Sequence, residues 1–455
     1  MGNLLTSMLN TANAMKVLQQ GLTVTENNVV NADTPGYAAQ SARFEAMPFD
    51  LAQGLSGGVK AGPVQSARDQ YAEVSVRDQQ SNLGLSQQKV TDLTAVQNYF
   101  SLSSTSGVAP AMDALFSSFS QLSITPNDSE SRQDVLNKAG NVAAQFQNAA
   151  NGLQNQLGDI STQTRSAITN INQLAATIAQ INASDRVDYS GQVNAGSDAQ
   201  LNSSLEQLSQ YVNFTTLQMP DGTVTVLLGG QTPLVVGSQA YDISGNLSNQ
   251  QTSVYSSTGV DITGQITGGQ LSALLDDYNN VVPGYLNNLN TLAQSFADTV
   301  NYTLDGGIDQ NGAAPTTELF TYNAAVGSAQ TLSVNSMTPD QVAAALPGAP
   351  GGNGNALALA QLASAPIING YTFDQYYGSI GQQVGGNLAD AQANQSTGEA
   401  LLNQAQSFRQ QVSGVSLDTE AESLMSYQQS YDAVTKMLTV LNQMTETLMN
   451  IILPS

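Results

Sequence analysis

The stretch Leu424–Ile452 reads LMSYQQSYDAVTKMLTVLNQMTETLMNII. Within it Leu424, Tyr427, Tyr431, Val434, Leu438, Leu441, Thr445, Leu448 and Ile452 recur three and four residues apart, and neither Gly nor Pro interrupts them. That spacing puts them on one face of an α-helix. A lone amphipathic helix is marginal in water, because nucleation is costly and its apolar stripe stays wet. Burying one Leu is worth roughly 1.5–3 kcal/mol, so a handful of seam positions outweighs the cost of ordering them. The stripe therefore requires a partner.

The opposite end of the chain carries a matching one. Leu4, Met8, Thr11, Met15, Leu18, Leu22, Thr25 and Val29 alternate four and three apart, a heptad stripe with two Thr lapses. It predicts a helix over residues 4–30. The segment Asn31-Ala32-Asp33-Thr34-Pro35-Gly36-Tyr37 then stops it, since Pro35 has no N–H to continue the ladder and drives Thr34 from the helical region. The expectation is an assembly interface made of Leu4, Met8, Met15, Leu18, Leu22 and Val29 with Leu424, Tyr427, Tyr431, Val434, Leu438, Leu441, Leu448 and Ile452, paired as a coiled coil. Asn31, Asp33, Pro35, Gly36 and Tyr37 form its helix-stop motif. On periodicity alone, a plainer reading stays open: two ordinary core helices that happen to be terminal.

Between the ends the chain reads as mainly α with a small β-rich insertion. Residues 44–80 are mixed; Gly54, Gly57, Gly58 and Gly62-Pro63 mark turns, and Tyr71–Val76 alternates like a short strand. Helices are expected from about Leu83 to Leu102, around Met112–Leu122, and from Ser129 to about Ile181, the last long enough to make a rod-like element. Thr223–Leu228 and Leu234–Val236 read as strands. Helix returns over 268–304, with Pro283-Gly284 inside it, and over 372–412, separated by a turn-rich stretch. The domain expectation is a terminal assembly domain (1–40 plus 415–455), an elongated helical bundle (41–200 plus 265–414) and a small outer β domain (201–264).

Composition narrows function. The 455 residues include 12 Lys+Arg against 35 Asp+Glu, a formal net charge of -23, and no Cys, His or Trp. So few cations do not fit a phosphate backbone or an anionic bilayer surface. Without imidazole or thiol there is no Ser-His-Asp or Cys-His chemistry and no ordinary zinc site. Only 10% of residues are charged; neutral amides and hydroxyls cost less to bury than charges, which suits a surface packed against other protein. No metal or cofactor is expected. Asp309, Asn311 and Gly312 hint at a calcium loop, but no Glu stands at its closing position, so a solvated turn is expected. Asp276-Asp277, with Glu420 and Glu422, is read as solvated helical surface rather than a catalytic carboxylate pair. The glycines at 348–354 lack the Lys-Ser/Thr of a phosphate loop. No cleavable signal precedes the first helix and no stretch approaches a membrane span.

Asn27-Asn28-Val29-Val30-Asn31-Ala32-Asp33-Thr34-Pro35-Gly36-Tyr37 resembles the N-terminal signature of the flagellar rod, hook and hook-associated superfamily. Gly414-Val415-Ser416-Leu417-Asp418-Thr419-Glu420, followed by Tyr427-Gln428-Gln429-Ser430-Tyr431, resembles its C-terminal signature. Gly36-Tyr37, where hook and rod proteins carry Gly-Phe, and Ser413–Asp418 are most similar to the FlgK family of hook–filament junction proteins. Pro126-Asn127-Asp128 with Arg132, Gly268–Leu275, Val282-Pro283-Gly284-Tyr285 and Gly352–Leu359 resemble it too. The chain departs from the family pattern at Ala38-Ala39-Gln40 and Asn442-Gln443-Met444. The resemblance implies a structural, non-enzymatic subunit exported through the flagellar type III apparatus without cleavage. It implies an extracellular ring of copies joining hook to filament, and it implies contacts with hook protein, a second junction protein and an export chaperone on the C-terminal helix. The alternative reading is a secreted adhesin or carbohydrate-active protein on the same scaffold.

Overall fold

A computed structural model describes residues 2–50, 55–100, 106–187, 194–247 and 251–452. Helix α1 (Gly2–Val30) forms where its stripe predicts. Six short strands follow: β1 (Gln40–Ser41), β2 (Phe44–Ala46), β3 (Phe49–Asp50), β4 (Leu55–Ser56), β5 (Val59–Ala61) and β6 (Gln65–Ser66). They pair antiparallel as β1 with β6, β2 with β5 and β3 with β4. The nested pairing makes one long ribbon lying against α1. Strands of two or three residues are too short to write an alternation into the sequence, so only the turns were legible.

Helix α2 (Gln70–Gln97) overturns the strand expected at Tyr71–Val76. The Asp69 carboxylate accepts the N–H of Ala72 at 2.8 Å and starts the helix there. Ala72, Glu73 and Val76 then fall on a buried face continuous with Leu83, so the period is helical and the two-residue alternation is a coincidence. The helix end expected at Leu102 lies outside the described residues. Helix α3 (Val108–Ile124) and helix α4 (Ser129–Val187) bracket the Thr125-Pro126 break. Asp128 caps α4 by accepting the Ser131 N–H at 2.9 Å. At 59 residues, α4 runs about 90 Å and sets the length of the body. Helix α5 (Ala195–Tyr211) turns back along it, capped by Asn194.

The insertion is a four-stranded antiparallel sheet of β7 (Phe214–Gln218), β8 (Val224–Leu228), β9 (Thr232–Val236) and β10 (Gln239–Ala240), in the order β10-β9-β8-β7. A hairpin of β11 (Ser244–Leu247) and β12 (Thr252–Tyr255) adjoins it. Two asparagines of α4 pin it. Asn182 donates to the carbonyls of Val224 and Gly237 and accepts the Val224 N–H; Asn172 makes the reciprocal pair with Ile243. Val226, Leu228, Leu234, Val235 and Val254 belong to the same apolar core as the helices.

Helix α6 (Gly269–Asp276) passes through a π turn (Asp277–Val281) directly into α7 (Val282–Asp305). Pro283 lies inside this continuous run, directly after the π turn, where the hydrogen-bond ladder is already shifted from the α pattern. Short pieces follow: β13 (Phe320–Thr321), α8 (Ser328–Thr331), β14 (Ser333–Val334) and α9 (Gly354–Gln361). Helix α10 (Phe373–Ser413) starts at a Thr372/Gln375 capping box and packs along α2. Helix α11 (Leu417–Ile452) ends the fold. Phe296 on α7 centres the body core. The rings of Phe116, Phe320, Phe373 and Phe146 surround it at 5.7, 5.6, 5.2 and 6.2 Å. Arg132 is buried and spends its guanidinium on the carbonyls of Pro126, Pro339 and Val342, which staples the loop before α9 to the start of α4.

Candidate assembly interface

Helices α1 and α11 pack side by side and antiparallel. Thr445 Oγ1 reaches Met8 Sδ at 3.6 Å. Further along, the Tyr427 ring lies over Gly21, where an added Cβ would come within 3.0 Å of it. At the far end Asn28 Nδ2 donates to Glu420 Oε1 at 2.8 Å. Between 424 and 450, the side chains drawn out of solvent are Leu424, Tyr427, Tyr431, Val434, Leu438, Leu441 and Thr445. These are positions that the three-and-four spacing placed on one face of the helix. Leu448 stays exposed, and the side chain of Ile452 lies outside the described residues.

On α1, Leu4, Met8, Thr11, Met15, Leu18, Leu22 and Thr25 are half-buried or buried, whereas Val29 is exposed. A second buried row runs one position earlier, through Val17, Gly21, Val24 and Asn28. At about 100° per residue Val29 stays on the face of Leu4, whereas Val17, Gly21, Val24 and Asn28 lie about 100° or more round the helix on an adjoining face. The ribbon also packs along α1, and Phe44 meets Tyr427 edge-on with ring centres 5.8 Å apart.

The helix-stop motif does more than end α1. Thr34 N–H donates to the Asn31 carbonyl and Tyr37 N–H to that of Thr34, forming a compact turn with Asp33 and Pro35 exposed. Gly36 has φ +74°, and a Cβ there would lie 2.3 Å from the Ala199 carbonyl oxygen. Only glycine allows that backbone and that approach to α5. Asn28 is the hub of the joint. Its Oδ1 accepts from the Gln40 N–H and the Tyr37 hydroxyl, both at 2.9 Å, while its Nδ2 donates to the Gln40 carbonyl and to Glu420. Burial, and then the Glu420 charge, push the Tyr37 phenol above its ordinary value, so it stays a donor.

An ion network ties this joint to the body. Arg68 donates to the Gly36 carbonyl at 2.5 Å, to Asp198 at 2.9 Å and to Glu73. Arg409 reaches Glu206 at 2.7 Å and the same Glu73 at 3.2 Å. Three helices, α2, α5 and α10, and the turn are thus tied together by two arginines that share the buried Glu73 carboxylate. Sequence reading missed Asn28 as a hub, along with Gly21, Arg68, Glu73 and Arg409. Their partners lie far away in the chain, and a single sequence carries no sign of such pairings.

The chemical candidates resolve differently. Asp309 Oδ1 accepts the N–H groups of Asn311 and Ala313, both at 2.8 Å, so its carboxylate closes its own turn. Asp276 pairs with Lys89 at 2.6 Å and Glu420 with Asn28, so these acids serve separate places. Asp277 is not solvated surface: it is buried, because the π turn rotates it inward. A cleft of about 1080 Å³ lies between the stop turn and the α4 and α5 helices. Asn27, Asn31, Thr34, Gln180, Gln200 and Ser203 line it, with no acid or base among its walls. Among the described residues no cluster of three acids could hold a metal, and no helix is long and apolar enough to cross a membrane.

Beyond the seam, α11 presents a second apolar row. Met437, Val440 and Met444 are 55%, 53% and 51% exposed, and Leu448 continues the row; across the pair Leu5 and Leu9 of α1 are also bare.

Residues 93–320, about half of the chain, match the family described as the flagellar hook-associated protein FlgK helical domain. The chain belongs to the FlgK family. Residues 407–451 match the C-terminal region of the flagellar basal body rod FlgEFG proteins, a span that contains most of α11 and its seam. Flagellar hook-associated protein 1 of Bacillus subtilis is 25% identical over 489 residues, covering 96% of each chain. Its counterpart in Escherichia coli is 24% identical over 68% of this chain and 59% of its own length. The solved structure of the flagellar hook junction protein FlgK from Burkholderia pseudomallei has the same fold, with a TM-score of 0.66 at 16% identity, over 74% of this chain and 99% of that one. FlgK-family proteins are structural components of the flagellum, and this chain is one of them rather than an enzyme.

Proposed function

We propose that this chain forms the adaptor ring that joins hook to filament and on which the filament is started. The observation that supports it most is the terminal pair. Its seam is only half-closed within the chain, and a second row, Met437, Val440, Met444 and Leu448, stays in water beside Leu5 and Leu9. Exposed apolar rows of that kind mark protein contacts, and further copies of the same pair are the partners that a ring supplies. Leu4, Met8, Met15, Leu18, Leu22 and Val29, with Leu424, Tyr427, Tyr431, Val434, Leu438, Leu441, Leu448 and Ile452, are the assembly residues in this reading. Residues 1–40 plus 415–455 act as the inner domain, 41–200 plus 265–414 as the helical domain around it, and 201–264 as the outermost part. The Asn31–Tyr37 turn, bolted to α5 through Gly36 and Arg68, sets the angle between them.

Family membership extends the proposal to location and partners: the flagellum outside the cell, hook protein on one side, a second hook-associated junction protein on the other, and an export chaperone on α11 before secretion. Deleting the gene tests it. Cells should build hooks without filaments and release filament subunits into the medium; normal filaments on the deletion strain would refute the assignment.

A further inference from the structure

Two buried carboxylates lie at the crossing of α2, α4 and the π turn. Asp92 and Asp277 are each 1% exposed and within hydrogen-bonding reach of one another. Asp92 is well supplied: Gln88 Nε2 donates to one oxygen at 2.9 Å and Gln156 Nε2 to the other at 3.3 Å. Asp277 receives no N–H or O–H on either oxygen from any described group. Ionised carboxylates only accept. Two of them in contact, one without a donor, would combine like-charge repulsion with an unsatisfied buried charge. A proton on Asp277 removes both faults at once, because the acid becomes the donor that Asp92 can accept.

The surroundings offer no other remedy. Lys89 on α2 is the nearby cation, and its ammonium is held by Asp276 of α6 at 2.6 Å. Tyr285 on α7, which senses the Asp277 charge, receives the Asn387 amide on its hydroxyl. From α4 come only neutral amides, Gln156 and Gln163, and from α6 the amide of Gln270, which is bonded to Gln88.

We infer that Asp92 and Asp277 hold a proton between them, and that this proton locks the π turn onto α2, so that the helical body loosens as pH rises. Burial raises both carboxyl groups, Asp92 to about 6, and Asp277, which also feels the Asp92 charge, to about 8. The pair titrates as a unit. Because both are raised above the ordinary value of 3.8, the folded state binds protons that the unfolded chain has released. The stabilisation is complete at low pH and is lost as pH climbs through the folded values, ending above about pH 8.

Urea unfolding of the full chain between pH 5 and 9 tests this, with Asp277→Asn beside the wild type. The amide keeps the shape and donates to Asp92 with no proton to lose. The ratio of the wild-type unfolding constant to that of the variant should rise by up to about tenfold per pH unit through the window from about 6 to 8, one proton being released. Parallel pH dependences would overturn the inference. Asp92→Asn offers the same flattening from the other side if Asp277→Asn does not fold. In the native wild type at pH 7, infrared spectra should show the C=O stretch of a protonated carboxylic acid that the Asp277→Asn variant lacks; absence of that band in the wild type would equally overturn it.

Discussion

The helical body and the terminal pair use the same kinds of residue to different ends. Around Phe296 the body closes on itself: aromatic rings meet on several sides and the aliphatic side chains of α3, α4 and α7 are withdrawn from water. In the α1–α11 pair the seam is only half-closed. Of its described α11 members Leu441 alone is buried, at 9% exposure, and a second apolar row faces outward. A three-dimensional core surrounds a side chain, whereas a pair of helices covers it from one direction. The body is thus closed within the chain, whereas the pair leaves an apolar row in water.

The largest effect should come from removing the pair. A chain lacking residues 424–455 should keep a cooperative thermal transition close to that of the full protein and lose self-assembly altogether, by light scattering or sedimentation. Unfolding of the whole body would instead show that α11 belongs to its core, and the comparison would fail. Within the body, Phe296→Ala should cost about 3–5 kcal/mol in denaturant unfolding, through lost contacts and the cavity left behind. In the monomer Leu438→Ala should cost well under half of that, because its seam position is already partly wet. At the joint, Asn28→Leu strands the Gln40 N–H and removes a partner of Glu420; about 1–3 kcal/mol is expected, read as faster hydrogen exchange confined to the stop turn and the adjoining ends of α1 and α11. The smallest change in monomer stability, within about 0.5 kcal/mol, belongs to Met437→Ser in the outward row. Its assembly should nevertheless weaken, and unchanged assembly would remove that row from the interface.

Some of this was written in the chain and some was not. The covered face of α11 was legible from Leu424 to Thr445 but not at Leu448, which is exposed; a periodicity of three and four survives packing where a neighbouring helix covers one side. On α1 the covered stripe was legible to Thr25, whereas Val29 is exposed and an adjoining face through Val17, Gly21, Val24 and Asn28 is buried as well, which the stripe did not announce. The ribbon at 40–66 went unseen because its strands are shorter than any period. Tyr71–Val76 was misread because a two-residue alternation also fits the start of a capped helix, and only the Asp69 cap distinguishes them.

The joint shows the same division from the side of the charges. The turn from Asn31 to Tyr37 could be read directly, since Pro35 and Gly36 act on their own backbone. That Gly36 presses on Ala199, that Arg68 spans from Gly36 to Asp198, and that Arg409 returns to Glu73 could not, because each depends on where a distant segment folds. Asp277 is the sharpest case. Neighbouring helical residues point apart, which placed Asp276 and Asp277 on an ordinary wet face; one π turn rotated the second inward to meet Asp92. Local chemistry along the chain determined the elements, the seam and the absence of histidine or thiol chemistry. Burial and long-range pairing, which exist only once the helices have crossed, decided which polar groups became a hub, a clamp or the keeper of a proton.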